Sequence, residues 1–239
     1  MSHIEIEIRS KHFSAQGNAK PHLAISGLSL TLRQNEFVCL VGPSGCGKTT
    51  LLNLIAGLDT QFEGRINFHL PEPPLLGYMF QEPRLLPWRT VRQNLELALP
   101  PQVPTTVIDE LLELTELVPF QHTYPQRLSL GMSRRVALAR AFALEPHLLL
   151  MDEPFVSLDT ATADRMRRLL IRLWKHRPHT ILFVTHDLRE AIALAERIVF
   201  LTPSPSRVSH EICLPLPHEK RQTDYVESTY RDMRQMPHE

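Results

Sequence analysis

The sequence predicts an α/β fold with a parallel core sheet, an N-terminal antiparallel β subdomain and an inserted α-helical subdomain. Two patterns lead to this prediction. Short uninterrupted apolar runs alternate with helical stretches, which is typical of buried parallel strands joined by crossover helices. The N-terminal segments instead alternate between apolar and polar residues, which is typical of antiparallel strands with one buried face.

These patterns assign the elements in chain order. Predicted strands cover residues 4–9, 28–32, 37–41, 65–70, 76–80, 148–151, 181–184 and 197–201, the last taken as the final core strand. Predicted helices cover residues 51–57, 107–114, 164–175 and 188–195, with a short helix near 225–234. Clustered prolines predict a loop at 71–74.

A single domain, 1–239, accounts for the whole chain in this prediction. Residues 1–82 and 145–214 form its α/β core, because the predicted strands lie there. Residues 83–144 form the inserted subdomain, since their pattern is helical and repeatedly broken by prolines. Residues 215–239 form a polar C-terminal tail.

Composition narrows the class of protein. A chain of 239 residues with 43% hydrophobic content can bury one sizeable core. Lys plus Arg and Asp plus Glu both number 26, so the net charge of zero gives no support for nucleic acid or an anionic membrane as partner. No apolar run approaches the roughly 20 residues of a membrane span, and the start lacks a signal-peptide pattern. Three cysteines do not make a disulfide framework, which favours a reducing, cytoplasmic setting.

A glycine-rich loop follows the apolar run 37–41 and precedes a predicted helix. It fits the pattern G-x-x-x-x-G-K-[ST], in which the turned backbone points successive N–H groups at a phosphate. The residues predicted to cradle the phosphates of ATP are Gly42, Pro43, Ser44, Gly45, Cys46, Gly47, Lys48, Thr49 and Thr50. Within this loop, Lys48 is expected to reach the β- and γ-phosphates, and the Thr49 hydroxyl to ligate Mg²⁺.

Polar residues end two further apolar runs. Asp152 and Glu153 follow the run 148–151, where Asp152 is expected near Mg²⁺ and Glu153 near the γ-phosphate, able to polarise an attacking water. His186 likewise lies just after the carboxyl end of a predicted apolar strand, 181–184. Ligands bind at the carboxyl edge of a parallel sheet, so we expect His186 to contact the γ-phosphate as well.

A further motif carries a resemblance to a known family. Residues 128–132 read Leu-Ser-Leu-Gly-Met, followed by a helical run rich in arginine and alanine, and resemble the signature motif of the ATP-binding cassette (ABC) ATPases, which have a P-loop NTPase core. Other family motifs occur in the family's order over roughly residues 1–215. By this resemblance they are Phe13 stacking on adenine, Gln81 of the Q-loop, the Walker B aspartate Asp152, the catalytic glutamate Glu153, Asp159 of the D-loop and the switch histidine His186.

The resemblance also implies an assembly. Cassettes of this family pair head to tail, so Ser129 and the backbone of Gly131 would touch the γ-phosphate held by a second copy, and Gln81 would join the metal ligands. This sequence has Leu130 where the family usually has glycine, and Met132 where glutamine is commonest. We expect Leu130 to point away from the phosphate, because any residue except proline can donate a backbone N–H.

The resemblance extends to a function. The chain is similar to the separate ATPase subunit of bacterial importers, whose expected partners are a second copy, a transmembrane permease at the cytoplasmic face of the inner membrane and, indirectly, a substrate-binding protein. Residues 82–95 are similar to the branch that imports nitrate, sulfonates, taurine and thiamine pyrimidine precursors. In this segment Leu85, Leu86 and Trp88 border the permease groove or belong to the subdomain core, and the sequence leaves both open.

Two other classes are weighed against the importer. A non-transport cassette that clamps DNA or ribosomes would share the site, but it carries coiled-coil insertions or a tandem cassette, neither of which this sequence contains. A P-loop kinase would explain the glycine-rich loop, but not the motif at 128–132 or His186.

Overall fold

The computed structural model describes residues 2–14, 21–69 and 74–235. Its strands are β1 His3–Phe13, β2 His22–Arg33, β3 Phe37–Val41, β4 Glu63–His69, β5 Leu76–Met79, β6 Leu148–Asp152, β7 Thr180–Thr185, β8 Arg197–Leu201 and β9 Val208–Cys213. Its α-helices are α1 Lys48–Ile55, α2 Val91–Glu96, α3 Thr106–Leu114, α4 Leu130–Ala143, α5 Thr160–His176, α6 Leu188–Leu194 and α7 Thr223–Gln235. The predicted α/β class is confirmed.

The chain forms two compact units. Unit 1 comprises Met1–Glu72 and Thr180–Glu239, and unit 2 comprises Pro73–His179. The predicted division into core, inserted subdomain and tail stays a prediction. Within the described residues, no helix is both long and apolar enough to cross a membrane.

An antiparallel sheet of order β2-β1-β4 forms the N-terminal part of unit 1. Ile4, Ile6 and Ile8 of β1 are almost fully buried, opposite leucines of β2 that are buried as well. The residues between them turn to the other, more exposed face, as the alternating pattern predicts. Residue 70 and most of the predicted loop at 71–74 lie outside the described residues.

A second sheet in unit 1 carries the strands β7, β3, β8 and β9 side by side. The first three are parallel, and every residue of β3 and β7 is buried, which explains their unbroken apolar sequences. Strand β9 runs antiparallel to β8. The sequence does not predict it, because its patterns make residues 197–201 the final core strand. Its residues alternate between half-buried and exposed, so its sequence lacks an apolar run.

A buried ion pair links the turn after β2 to β8 in unit 1. The Arg197 guanidinium donates two hydrogen bonds of 2.8 Å to the Glu36 carboxylate, and one of 2.7 Å to the Thr31 carbonyl. Burial alone would raise the pKa of Glu36, but the hydrogen bonds from Arg197 and from the Arg33 backbone outweigh it and hold that pKa below its usual value. The pair is therefore charged and fully hydrogen-bonded, the condition under which a buried ion pair is tolerated.

Unit 2 combines a parallel strand pair, β5 and β6, with helices α2 to α5. Helix α5 begins several residues earlier than predicted, because the Asp159 carboxylate caps it by accepting a hydrogen bond from the Thr162 N–H at 3.0 Å. Helix α3 buries Val107, Ile108 and two leucines, in agreement with the predicted amphipathic pattern.

Candidate active site

The glycine-rich loop lies between the end of β3 and the start of α1 in unit 1. Gly45 and Gly47 have φ angles of 77° and 101°, a left-handed region that glycine adopts at little cost. Gly42 is required for a different reason, since a Cβ there would lie 2.9 Å from the Cys46 sulfur and 3.1 Å from Leu201 Cβ. These glycines allow a tight turn directly before the helix.

Lys48 gives the loop its positive charge. Its side chain is buried, with a relative exposure of 5%, and its Nζ donates to the Gly42 carbonyl at 2.8 Å and to the Pro43 carbonyl at 3.0 Å. In the described chain, α1 has no capping side chain at Gly47 and no acidic residue in its first turn. A lysine and a helix N-terminus without an acidic residue in its first turn suit the loop to a phosphate chain. The exposed Thr49 adds a hydroxyl in the first turn.

His186 emerges beside this loop. Strands β3 and β7 are parallel neighbours in which Val41 lies opposite Thr185, so Gly42 and His186 leave the sheet at the same edge. The Thr185 hydroxyl accepts a hydrogen bond of 3.0 Å from the Asp187 N–H, which fixes the turn. The His186 side chain is exposed. The structure thus brings the predicted switch histidine to the edge of the sheet that carries the phosphate loop.

Phe13 ends β1 as an exposed ring, 43% accessible to solvent. The nearby Lys11 is 2% exposed, and its ammonium lies 4.9 Å from the Phe13 ring centroid, 2.7 Å from the Asp59 carboxylate and 2.7 Å from the Gln61 carbonyl. An exposed aromatic ring on a firmly held strand end is suited to stacking against a planar ligand.

The acidic pair lies at an equivalent edge in unit 2. Strands β5 and β6 are parallel with Met79 opposite Met151, so Gln81 and Asp152 follow at the same end of the pair. Asp152 is 7% exposed, and Glu153 has a φ of 42°. Burial, and then the nearby Asp152 carboxylate, raises the pKa of the Tyr78 hydroxyl well above its usual value.

The signature motif forms a groove in unit 2. The Ser129 hydroxyl caps α4 by accepting a hydrogen bond from the Met132 N–H at 3.2 Å. A Cβ on Gly131 would lie 3.1 Å from Thr162 Cγ2, so α4 and α5 approach closely at this glycine. Further groove residues are Leu130, Arg135, Ser157, Leu158, Asp159 and Arg165. The groove has a volume of about 400 Å³.

Leu130 is the first residue of α4 and is 46% exposed. Its position within the helix means that its φ is not left-handed, so leucine brings no backbone strain here. Its side chain also lines the groove. Its expected direction relative to a bound phosphate stays a prediction.

The segment after Gln81 is held by side chains that sequence reasoning did not single out. Asn94 is fully buried, and its amide accepts from the Leu86 N–H at 2.8 Å and donates to the Arg89 and Thr90 carbonyls at 3.1 and 2.9 Å. Arg140 donates to two carbonyls at the start of the segment, each at 2.9 Å. The available signal was that a polar Asn94 falls on the same helical face as the apolar Val91 and Leu95.

This framework displays Trp88, which is 68% exposed. Leu85 and Leu86 are half-buried. The alternative that placed this cluster in the subdomain core is therefore wrong for Trp88. Each of the two leucines buries part of its side chain and exposes the rest, so both alternatives stay open for them.

A loop of pattern G-x-x-x-x-G-K-[ST], between a buried strand and a helix in a sheet of parallel strands, defines the class of P-loop NTPases. The family model for ABC transporters matches residues 25–156, more than half of the chain. The chain belongs to the ABC transporter family, as its ATP-hydrolysing cassette.

Curated relatives agree with this family and with the predicted branch. The chain is 41% identical over 234 residues to the aliphatic sulfonates import ATP-binding protein SsuB of Bacillus licheniformis, covering 95% of this chain and 91% of that protein. It is 39% identical over 211 residues to the nitrate import ATP-binding protein NrtD of Synechococcus elongatus, covering 84% of this chain and 77% of that protein.

Solved structures agree with the fold. The dimeric post-hydrolysis state of the ATP-binding cassette MJ0796, bound to ADP and Pi, superposes with a TM-score of 0.72 at 29% identity. That match covers 90% of this chain and 100% of the other. A second dimeric structure of MJ0796, described as a bacterial ABC transporter cassette, also gives a TM-score of 0.72.

Proposed function

We propose that this chain powers a bacterial importer by hydrolysing ATP at the cytoplasmic face of the inner membrane. It dimerises around two Mg·ATP and drives uptake of a small molecule through a separate permease. The substrate is of the nitrate, sulfonate or taurine type, or a thiamine pyrimidine precursor, delivered by a substrate-binding protein. The phosphate loop with its buried Lys48 carries this proposal, and relatives named for sulfonate and nitrate import support it.

Nucleotide binding falls to the residues that the sequence predicts for it. Phe13 stacks on adenine, the loop 42–50 cradles the phosphates, and Lys48 neutralises part of their charge. The Thr49 hydroxyl, Gln81 and Asp152 would hold Mg²⁺, which would offset the negative charge of the phosphates. The loop's left-handed glycines and its lysine, held over the loop carbonyls, support this assignment.

Hydrolysis depends on Glu153 and His186. The Glu153 carboxylate accepts a proton from water while the water oxygen bonds to the γ-phosphorus. The bond from that phosphorus to the bridging oxygen breaks, releasing ADP and inorganic phosphate. His186 holds the γ-phosphate by a hydrogen bond. Its exposure at the edge of the sheet that carries the loop supports this role.

A second copy completes each site. The Ser129 hydroxyl and Gly131 backbone contact the γ-phosphate bound by the partner copy, and Asp159 lies in the same contact region. Arg135 and Arg165 line the same groove and make it attractive to a triphosphate. The dimeric MJ0796 structures support this arrangement.

The variant Glu153→Gln tests hydrolysis and dimerisation together. It should abolish most ATPase activity but keep ATP affinity, because the phosphate cradle is intact, and it should run as a dimer with ATP in size-exclusion chromatography. Glu113→Gln, an exposed carboxylate on α3 of the same unit, is the matched control and should behave as wild type. A Glu153→Gln protein that stays monomeric at saturating ATP would refute the sandwich dimer.

Permease contact is proposed for Trp88 and Leu85. An indole that is 68% exposed, on a loop held by buried Asn94 and by Arg140, is suited to anchor a partner. Trp88→Ala should keep basal ATPase activity within a few-fold and reduce co-purification with the permease. Leu58→Ala, which removes a 62% exposed apolar side chain in unit 1, should leave co-purification unchanged. Equal recovery of permease with wild type and Trp88→Ala would remove this contact from the proposal.

A further inference from the structure

Two histidines and a glutamate converge on the exposed face of the N-terminal sheet. His3 and Glu5 lie two residues apart on β1, so their side chains share a face, and His69 of β4 lies directly opposite His3. The ligand-capable atoms of all three side chains lie within 4.8 Å of one another. Strand register alone thus brings together three residues from both ends of the N-terminal segment.

The carboxylate of Glu5 contacts both imidazoles through their Nε2 atoms. Its Oε1 is 3.1 Å from His3 Nε2, and its Oε2 is 3.4 Å from His69 Nε2. The two rings are stacked, with centroids 4.3 Å apart. Tetrahedral Zn²⁺ with ligands at 2.0–2.2 Å places its ligand atoms about 3.3–3.6 Å from one another. The two histidine–glutamate distances of 3.1 and 3.4 Å lie near this range.

The neighbours of the cluster also matter. Asn67 of β4 lies directly opposite Glu5, a position from which a side-chain amide can orient a ligating carboxylate. One step further along the strands, Glu7 pairs with Arg65 at 2.9 Å. That pair is complete by itself, so it marks the boundary of the cluster.

We propose that His3, Glu5 and His69 form a Zn²⁺ site that clips β1 to β4. Two imidazole nitrogens and a carboxylate oxygen are a donor set that zinc accepts, with water at the fourth position. Mg²⁺ prefers oxygen ligands alone, so the site selects against the cation used with ATP. It lies at the start of β1, and Phe13 lies at the other end, about 33 Å away along an extended strand.

Isothermal titration of the full chain with zinc sulfate, in excess Mg²⁺, tests the site. We expect one Zn²⁺ per chain with a Kd in the micromolar range or below. His69→Ala and Glu5→Gln should each weaken binding at least tenfold. The controls are His12→Ala, an exposed histidine on the same strand, and Glu7→Gln on the same face. Both should bind Zn²⁺ as wild type does.

Co²⁺ provides a second measurement, because its visible absorption reports tetrahedral coordination. Wild type should develop that absorption and the His69→Ala variant should not, while circular dichroism confirms that both are folded. A wild-type Kd weaker than about 100 μM (about −5.5 kcal/mol) would overturn the proposal. So would equal affinity in wild type, His69→Ala and Glu5→Gln, which would assign the bound zinc to other residues. ATP affinity should be unchanged by zinc, so this outcome is independent of the proposed function.

Discussion

The phosphate loop of unit 1 and the turn after β6 in unit 2 both use left-handed backbone, but on different residue types. In the loop, Gly45 and Gly47 adopt φ angles of 77° and 101°. In the turn, Glu153 and Ser157 adopt φ angles of 42° and 63°. Glycine adopts left-handed φ angles at little cost, whereas for other residues the strain costs about 1–3 kcal/mol of conformational free energy.

The difference follows from what each region contributes. The loop offers backbone N–H groups, so it needs no side chain at its sharpest bends. In the proposed mechanism the turn displays the Glu153 carboxylate, so the same bend falls on a residue that resists it. Strain held by the surrounding fold at a proposed catalytic residue agrees with the way such sites are built.

Buried ionisable groups show a similar contrast. In unit 1, Lys48 is held by two carbonyls and Arg197 by the Glu36 carboxylate. In unit 2, His179 has a buried Nε2 for which the described residues supply no hydrogen-bond partner. Burial, with Arg177 and His147 adding to it, lowers the pKa of His179 to about 4. His179 is therefore kept neutral, whereas Lys48 and Arg197 have polar partners for their charge.

The largest expected effect comes from removing the loop's charge. Lys48→Ala should weaken ATP binding about a thousandfold, or about 4 kcal/mol, because charge-assisted hydrogen bonds to two phosphates are lost. Calorimetric titration measures the affinity, and Lys220→Ala, an exposed lysine in the same unit, is the control. Unchanged affinity in Lys48→Ala would show that the loop is not the phosphate site.

The next effect is a pH dependence due to His179. Unfolded histidine has a pKa near 6.5, so between pH 6.5 and 4 the unfolded chain binds a proton that the folded chain does not. The contribution of neutral His179 to the free energy of unfolding is therefore fully present above about pH 6.5. About 3 kcal/mol of that free energy is lost as the pH falls to about 4. His179→Phe, which keeps a ring beside Phe142, should remove this part of the pH dependence.

Urea unfolding at several pH values measures this difference. His122→Phe changes an exposed histidine of unit 2 and should keep the wild-type profile. If His179→Phe and wild type lose stability in parallel below pH 6.5, then His179 is not held neutral.

Glycine and alanine at the two bends test the comparison directly. Gly47→Ala should destabilise the protein by about 1–2 kcal/mol, since alanine resists a φ of 101°. At position 153, the Glu153→Gly variant should be more stable than Glu153→Ala by about 1 kcal/mol. Because both variants remove the carboxylate, the difference between them reports only the backbone strain. Thermal unfolding measures both. An alanine variant as stable as the glycine variant at position 153 would mean that the turn carries no strain.

The contrast between the glycine loop and the Glu153 turn also explains which parts of the fold and site could be predicted from the sequence. The apolar run of β3, the glycines and the following helix are local signals, and the structure agrees with them closely. Strand β9 was missed because an edge strand with one exposed face has no apolar run. The left-handed turn at Glu153 has no sequence signal at all, because the fold, rather than glycine, imposes it. The role of Asn94 depends on loop carbonyls that only folding brings to it.

The smallest expected effect concerns Leu130, a position where the family usually has glycine but where no left-handed backbone is required. Leu130 begins α4, so its N–H remains a donor and its φ is helical. Leu130→Gly should therefore change kcat/KM by less than about tenfold, or about 1.4 kcal/mol of barrier.

Glycine at a helix start also costs up to about 1 kcal/mol of stability, so thermal unfolding is measured alongside. Leu130→Ala is the matched control, since it removes bulk without the freedom of glycine. In a homodimer both sites carry Leu130. A gain of a hundredfold or more in Leu130→Gly, measured with the permease present, would mean that the natural homodimer has two weakened sites and that a different cassette is the partner.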